Sequence, residues 1–391
     1  MAMTKIVPAL LLFSFLTDLF PGIQSTGFGI NYGQIADNLP SHSRVVTLLK
    51  SLNVKRVKLY DADPNVLTAF AGSDFEFVIG LGNGDLQKMT DPTQAQTWIQ
   101  QNVQPYYGPT KITCITVGNE VLTGGDSQAM SYLLPAMKSV HAALVNLGLS
   151  DKISVTTAHA YSAMAVSFPP SSGAFKPDLA EYIHAILDFH TQTKSAFLIN
   201  AYPYFAYKGD PGDVSLDYVL FNPNPGNTDP VTKLKYDNMF YAQIDAVYSA
   251  MKAMGHEDIE VKVSETGWPS KGDENEAGAT QANAARYNSN LLGRLNKGEG
   301  TPAKPSVPVD VYVFALFNEN LKPGPTSERN YGLYYPNLDP VYDIKLQQQD
   351  GTGSTGSTGY FPQMEFSAAG GRVFCIPAFL LIFMLYFIQV W

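Results

Sequence analysis

The sequence predicts an α/β protein, a single (β/α)8 TIM barrel with a small subdomain in the loop after its sixth strand. Three observations carry that prediction: eight short apolar, β-branched runs, longer amphipathic stretches between them, and one long interruption rich in Pro, Gly, Asp and Asn after the sixth run. Eight strands close a barrel. Strands that alternate with helices build a parallel sheet from βαβ units.

In chain order the runs cover residues 27–32, 54–61, 75–81, 111–120, 152–159, 196–204, 259–268 and 309–319. Several read apolar almost continuously, as strands covered on both faces do. Helical stretches fall between them at 41–52, 93–103, 128–147, 179–189, 236–254 and 280–295. The interruption at 205–235 lies between the sixth run and its helix, and in a barrel such a βα loop belongs to the active-site face. An open doubly wound sheet is the rival architecture. It calls for a glycine-rich nucleotide loop after the first strand, and the segment Gly27-Phe28-Gly29-Ile30-Asn31-Tyr32-Gly33 lacks that spacing.

The ends of the chain differ from its middle. Lys5, an apolar run from Ile6 to Phe20 broken by little except Thr17 and Asp18, and small or polar residues through Thr26 read as a secretory signal peptide over 1–25. A membrane-spanning helix is the alternative, and it would need roughly 20 consecutive apolar residues. Near the other end come a Gly/Ser/Thr stretch over 351–359, the small residues Ser367-Ala368-Ala369-Gly370-Gly371, and an almost wholly apolar segment over 373–391. A stop-transfer helix keeps basic residues beyond it, whereas an apolar tail without them is the pattern exchanged for a glycolipid (GPI) anchor. The expected organisation is a signal peptide at 1–25, the barrel domain at 26–348, a flexible stalk at 349–367 and a removed anchor propeptide at 368–391. Ser367 is the preferred lipidation residue, with Ala368 or an earlier small residue as the alternative. The lipid bilayer is then a partner, and the protein faces the outside of the plasma membrane.

Composition limits the partners further. A net charge of -9 argues against nucleic acid, whose binding requires Lys and Arg to neutralise phosphates. The 22 Tyr, 22 Phe and 3 Trp supply the rings that sugar-binding clefts use. Of the two cysteines, Cys375 falls in the segment expected to be removed, so no intramolecular disulfide is expected and a monomer must be held by its core. Cys114, inside an apolar run, reads as a packed small hydrophobe. There is no Asn-x-Ser/Thr acceptor for N-glycosylation.

Metal and triad chemistry find little support. The histidines His42, His141, His159, His184, His190 and His256 form no HExxH pair, and His184 with His190 reads as surface or packing. No G-x-S-x-G elbow exists. Neither a cofactor nor a metal is expected. Carboxylates are the better signal, because Glu120, Glu265 and Glu319 end the fourth, seventh and eighth runs and would emerge at the C-terminal face of a barrel. The plain alternative for each is a charge beside a helix N-terminus. Glycosidic cleavage needs two carboxyls with differing environments, and position alone nominates three.

The segments Val117-Gly118-Asn119-Glu120, Ser264-Glu265-Thr266-Gly267-Trp268-Pro269-Ser270, Gly29-Ile30-Asn31-Tyr32-Gly33, Val57-Lys58-Leu59-Tyr60-Asp61, Asn200-Ala201-Tyr202-Pro203-Tyr204-Phe205 and Phe317-Asn318-Glu319-Asn320 with Lys322 resemble, in this order of strands, the plant β-1,3-glucanases of glycoside hydrolase family 17. The likeness runs from about Gly27 to Leu346, and no C-terminal carbohydrate-binding module is expected after it. The resemblance implies a retaining endo-hydrolase of β-1,3-glucan, with Glu120 as acid/base and Glu265 as nucleophile. It also sets Glu319 and Lys322 in the cleft, where a buried ion pair is the other reading.

Supporting roles stay open between two readings. Asn119 either bonds a sugar 2-hydroxyl or serves as a strand-end amide. Tyr202 is a candidate to orient Glu265, and Tyr60 to border the reacting sugar. Tyr32, Tyr204, Phe205, Trp268 and Phe317 either stack on glucose or pack the core. Three functions compete: endo-β-1,3-glucanase, a mixed-linkage glucanase or glucanosyltransferase, and a catalytically weak glucan binder.

Overall fold

The computed structural model describes residues 28–344. The expectations at 1–25, 349–367 and 368–391, Ser367 and Cys375 included, lie outside the described residues. Eight strands close a barrel: β1 (Gly29–Asn31), β2 (Arg56–Lys58), β3 (Glu76–Leu81), β4 (Lys111–Asn119), β5 (Ser154–Ala160), β6 (Phe197–Asn200), β7 (Val261–Thr266) and β8 (Val311–Val313). Every neighbouring pair is parallel, in the order β1-β8-β7-β6-β5-β4-β3-β2. The (β/α)8 prediction holds, and each strand overlaps one of the eight runs read from the sequence.

The runs overstate strand length for a local reason. The sixth was read through Tyr204, yet β6 stops at Asn200, because Pro203 opens a helix, the position where its missing N–H costs nothing. The interior of β3 shows why the runs are apolar: every residue from Phe77 to Leu81 is buried. Burying one such side chain is worth about 1.5–3 kcal/mol.

Helices wrap the barrel: α1 (His42–Ser51), α2 (Pro64–Ala69), α3 (Leu86–Met89), α4 (Pro92–Asn102), α5 (Ser127–Asn146), α6 (Ala180–Thr193), α7 (Pro203–Gly209), α8 (Leu216–Val219), α9 (Met239–Ala253) and α10 (Gln281–Leu295). The six predicted helices are α1, α4, α5, α6, α9 and α10. Their starts are chemically marked: Asp91 caps α4 ahead of Pro92, Asp126 accepts from the N–H groups of Gln128 and Ala129, and Asn238 and Thr280 cap α9 and α10. After β8 no α-helix follows among the described residues.

The interruption after β6 contains α7, α8 and a two-stranded antiparallel ribbon pairing Lys235–Tyr236 with Asn227–Thr228. A second ribbon, Met164–Val166 against Ala174–Phe175, follows β5. Among the described residues no helix is long and apolar enough to cross a membrane.

Candidate active site

Glu120 and Glu265 both leave strands that carry one residue more than their neighbours. Between β4 and β5, Thr116 pairs with Thr156 and Asn119 with Ala158, three steps against two. Between β7 and β6, Val263 pairs with Ile199 and Glu265 with Asn200, two steps against one. Such bulges re-aim the side chains that follow them. In β4 the irregularity is accommodated by Gly118 at φ 70°, where an added Cβ would lie 2.6 Å from the Val121 side chain. Glu120 itself adopts φ 56°, an uncommon conformation held by its N–H donating to the Ala158 carbonyl at 2.8 Å. Asn83 grips the peptide before it, donating to the Asn119 carbonyl at 2.9 Å and accepting from the Asn119 N–H at 2.8 Å.

The two carboxylates have unlike surroundings. Glu265 is buried and collects three donors: Lys58 Nζ at 3.2 Å and the Tyr60 hydroxyl at 2.7 Å on Oε1, and the Tyr202 hydroxyl at 2.9 Å on Oε2. Burial, reinforced by the Glu265 charge, holds both tyrosines well above their ordinary pKa, so they remain donors. Burial also draws the Lys58 ammonium down from its usual range, against the pull of Glu265. Among the described residues Glu120 receives a single side-chain donor, Asn200 Nδ2 at 2.9 Å on Oε1. Its pKa is raised, first by burial and then by the charge of Glu265. Asn200 is oriented by the Ser264 hydroxyl, which donates to its Oδ1 at 2.6 Å, and Asn31 Nδ2 donates to the Ser264 carbonyl at 3.1 Å.

Lys58, Asn200, Ser264, Asn31 and Asn83 were not singled out from the sequence. Lys58 carries no distinct signal, because Arg56 in the same strand and Lys55 before it are also cationic.

Glu319, the third nominee, lies apart in role. It is buried, its carboxylate accepts from the Ile35 N–H at 2.7 Å, and burial raises its pKa while Ile35 and Lys322 oppose. Gly33 admits it, since a Cβ there would stand 2.4 Å from a Glu319 oxygen. Lys322 forms its ion pair with Glu328 at 3.4 Å and rests over the Phe314 ring at 4.1 Å, so the direct Glu319–Lys322 pair entertained from the sequence is replaced by this one. The Asn119 side-chain amide is partly exposed and has no hydrogen-bond partner among the described residues.

The aromatic candidates divide by burial. Tyr32, Tyr204, Trp268 and Phe317 are at most 2% exposed. Tyr32 bonds His42 at 3.1 Å and meets Phe317 edge-on, and Trp268 donates to the Gly278 carbonyl at 2.8 Å. Rings so enclosed have no face to offer a sugar, and of the two readings that the sequence leaves open for them the structure favours core packing. Phe205, at 48% exposed and edge-to-face with Tyr202, is the stacking candidate left open to solvent.

A buried carboxylate, Glu276, joins three loops of this rim. It accepts from Lys208 Nζ of α7 at 2.8 Å, the Asp273 N–H at 3.0 Å, and the Ser327 N–H at 2.9 Å and hydroxyl at 2.5 Å.

A parallel barrel that delivers differently solvated carboxylates to the C-terminal ends of its strands is built as a glycoside hydrolase. The chain belongs to the glycosyl hydrolases family 17, whose description its residues 28–346 match. It is 58% identical over 359 residues to glucan endo-1,3-β-glucosidase 14 of Arabidopsis thaliana, covering 92% of this chain and 88% of that one. Glucan endo-1,3-β-glucosidase 11 of the same plant is 57% identical over 328 residues, 83% of this chain and 77% of that one. Among solved structures, a β-1,3-glucanase and allergen of Cryptomeria japonica pollen superimposes with a TM-score of 0.79 at 40% identity, covering 83% of this chain and 100% of that one. One of two plant β-glucan endohydrolases described as having distinct substrate specificities gives a TM-score of 0.76 at 38% identity, over 82% of this chain and 100% of that chain.

Proposed function

We propose that this glycoside hydrolase is a retaining endo-hydrolase of β-1,3-glucan, the callose-like wall polymer, with Glu265 as nucleophile and Glu120 as general acid/base. The observation that carries the reading is the asymmetry of the two carboxyl environments. Three donors, one of them cationic, hold and orient the Glu265 carboxylate, while burial and like charge favour a protonated Glu120. Glu265 attacks the anomeric carbon as Glu120 protonates the departing glycosidic oxygen. Once Glu265 is esterified its charge is gone, the like-charge contribution to Glu120 disappears, and the lowered Glu120 pKa leaves it ionised to accept the proton of the incoming water.

Tyr60 and Tyr202 position the nucleophile. The unpartnered Asn119 amide serves the sugar 2-hydroxyl, and Glu319 with Lys322 lines the cleft. The β-1,3 preference draws on the relatives named as glucan endo-1,3-β-glucosidases. A mixed-linkage or transferring enzyme is the second reading, motivated by the neighbouring pair of endohydrolases with distinct specificities. The chain is secreted as a monomer and held on the outer face of the plasma membrane by a GPI anchor at Ser367, a reading that rests on the composition of 1–25 and 368–391.

The test follows the anomeric configuration of the first products by NMR during digestion of linear β-1,3-glucan and of mixed-linkage glucan, with Glu265→Gln as control. β-Configured products, faster from the linear polymer and absent from the control, are expected. α-Configured products would overturn retention, and faster release from mixed-linkage glucan would favour the second reading.

A further inference from the structure

The sequence offers no spacing that marks a metal site, yet the fold brings two distant histidines onto one aspartate. His184 and Asp188 stand four residues apart on the outward face of α6, and His184 Nδ1 lies 3.3 Å from Asp188 Oδ2. His256 comes from the turn that closes α9. Gly255 there takes φ 87°, and the N–H of His256 reaches back to the Met251 carbonyl at 3.0 Å while that of Gly255 reaches Lys252 at 2.9 Å. This is a Schellman closure, which fixes the backbone of the residue after the glycine. The side chain so fixed is 10% exposed and directs Nε2 to within 3.5 Å of Asp188 Oδ1.

We propose that His184, Asp188 and His256 bind one divalent transition-metal ion, best matched by Zn2+, which clamps α6 to the turn following α9. One potential ligand atom from each residue lies within 4.8 Å of the other two. Bonds of about 2.0–2.1 Å to a tetrahedral ion require ligand atoms about 3.3–3.4 Å apart. The two contacts to Asp188, at 3.3 and 3.5 Å, are near that length but reach Oδ2 and Oδ1 in turn, so binding requires the exposed carboxylate to rotate one oxygen towards both rings. The donor set selects the ion class: two imidazoles and a carboxylate suit zinc and its transition-metal neighbours, whereas calcium and magnesium demand oxygen.

A further contact supports ligation over a plain His–Asp pair. Thr191 Oγ1 lies 3.1 Å from His256 Nδ1, so Nδ1–H can be engaged there and the Nε2 lone pair left facing Asp188. Metal-bound histidines are oriented in this way by a partner on the other ring nitrogen. The fourth tetrahedral position would fall to solvent, since the His184 and Asp188 side chains are 53% and 51% exposed. The turn from α9 into β7 lies, by topology, at the barrel rim opposite Glu120 and Glu265. The ion therefore staples the helical wall and takes no part in sugar chemistry.

The test is a Zn2+ titration of the full chain in detergent, followed by calorimetry and thermal melting. One ion per chain is expected, with Tm raised roughly 2–5 °C at a hundredfold excess over Kd and restored by EDTA. His184→Ala and His256→Ala should each weaken binding at least tenfold. Thr191→Val should weaken it about tenfold or more, because outer-shell partners contribute on that scale. Co2+ in place of Zn2+ should show tetrahedral ligand-field bands that disappear in His256→Ala, and glucan hydrolysis should be indifferent to EDTA. Absent binding, or binding and Tm responses that survive both histidine substitutions, would overturn the site and leave a simple His–Asp pair.

Discussion

Asn200 and Glu120 are joined past the end of β5: the Asn200 amide on β6 donates to Glu120 Oε1 at 2.9 Å, and among the described residues this is the one side-chain donor that carboxylate has. The bond favours the ionised acid and so opposes the burial that raises its pKa. Asn200→Ala should raise the Glu120 pKa further. A general acid works while protonated, so the alkaline limb of kcat/KM should move to higher pH, with kcat lowered about 10–100-fold by lost orientation. An unmoved limb in the pH–rate profile would remove Glu120 from the acid role.

Tyr202→Phe deletes one donor to Glu265 and leaves a ring that packs against Phe205, Phe314 and Tyr331. A hydrogen bond to a charged group contributes about 1.5–3 kcal/mol, so kcat/KM should fall roughly 10–150-fold with Tm little changed. Steady-state kinetics beside a melting curve separates a positioning role from a structural one, since a structural role would move both.

Glu120→Gln should reduce hydrolysis of polymeric glucan about 10²–10⁴-fold, the usual worth of general acid–base catalysis. An aryl glycoside with a good leaving group needs little protonation at that step. Its glycosylation step, read as a burst of released phenol, should be spared. Equal losses on both substrates would count against the assignment.

Glu276 ties the loops after β6, β7 and β8 through four donors. Those hydrogen bonds hold its pKa down to about 2 against the opposing effect of burial. A carboxyl depressed on folding adds stability above its unfolded pKa. That contribution should be lost as pH falls from about 4.5 through about 2. Glu276→Ala should cost about 2–4 kcal/mol at neutral pH, and the difference from the parent should shrink on acidification, measured by denaturant unfolding.

Gly118→Ala places a methyl at φ 70° and within 2.6 Å of Val121. Backbone strain of about 1–3 kcal/mol is expected, together with a loss of activity larger than the loss of stability, because the next two residues are Asn119 and Glu120. Comparing ΔΔG from urea unfolding with kcat tests this.

Much of the fold is legible because a barrel strand covered on both faces leaves a nearly continuous apolar signature, as several of the eight do. What stayed hidden is short or relational. α2, α3, α7 and α8 are too brief to display a 3.6-residue period, and each ribbon strand spans only two or three residues. Glu120 and Glu265 could be nominated by their position at strand ends. Lys58 and Asn200 could not, since their meaning lies in contacts 207 and 80 residues away. Aromatic type carried no burial information, which is why Tyr32, Trp268 and Phe317 were grouped with Phe205 although only the last meets solvent.

The extra residues in β4 and β7 set a phase. Side chains along a strand alternate between barrel interior and helical wall, so deleting one residue at Gly118 or Ser264 would turn Glu120 or Glu265 half a period, out of reach of Asn200 or of Tyr60 and Tyr202. Loops such as 205–235 can lengthen or shorten and alter only the walls of the groove. Insertions in such loops are therefore tolerated, whereas within β4 or β7 a single codon gained or lost would silence the activity while leaving a closed barrel behind.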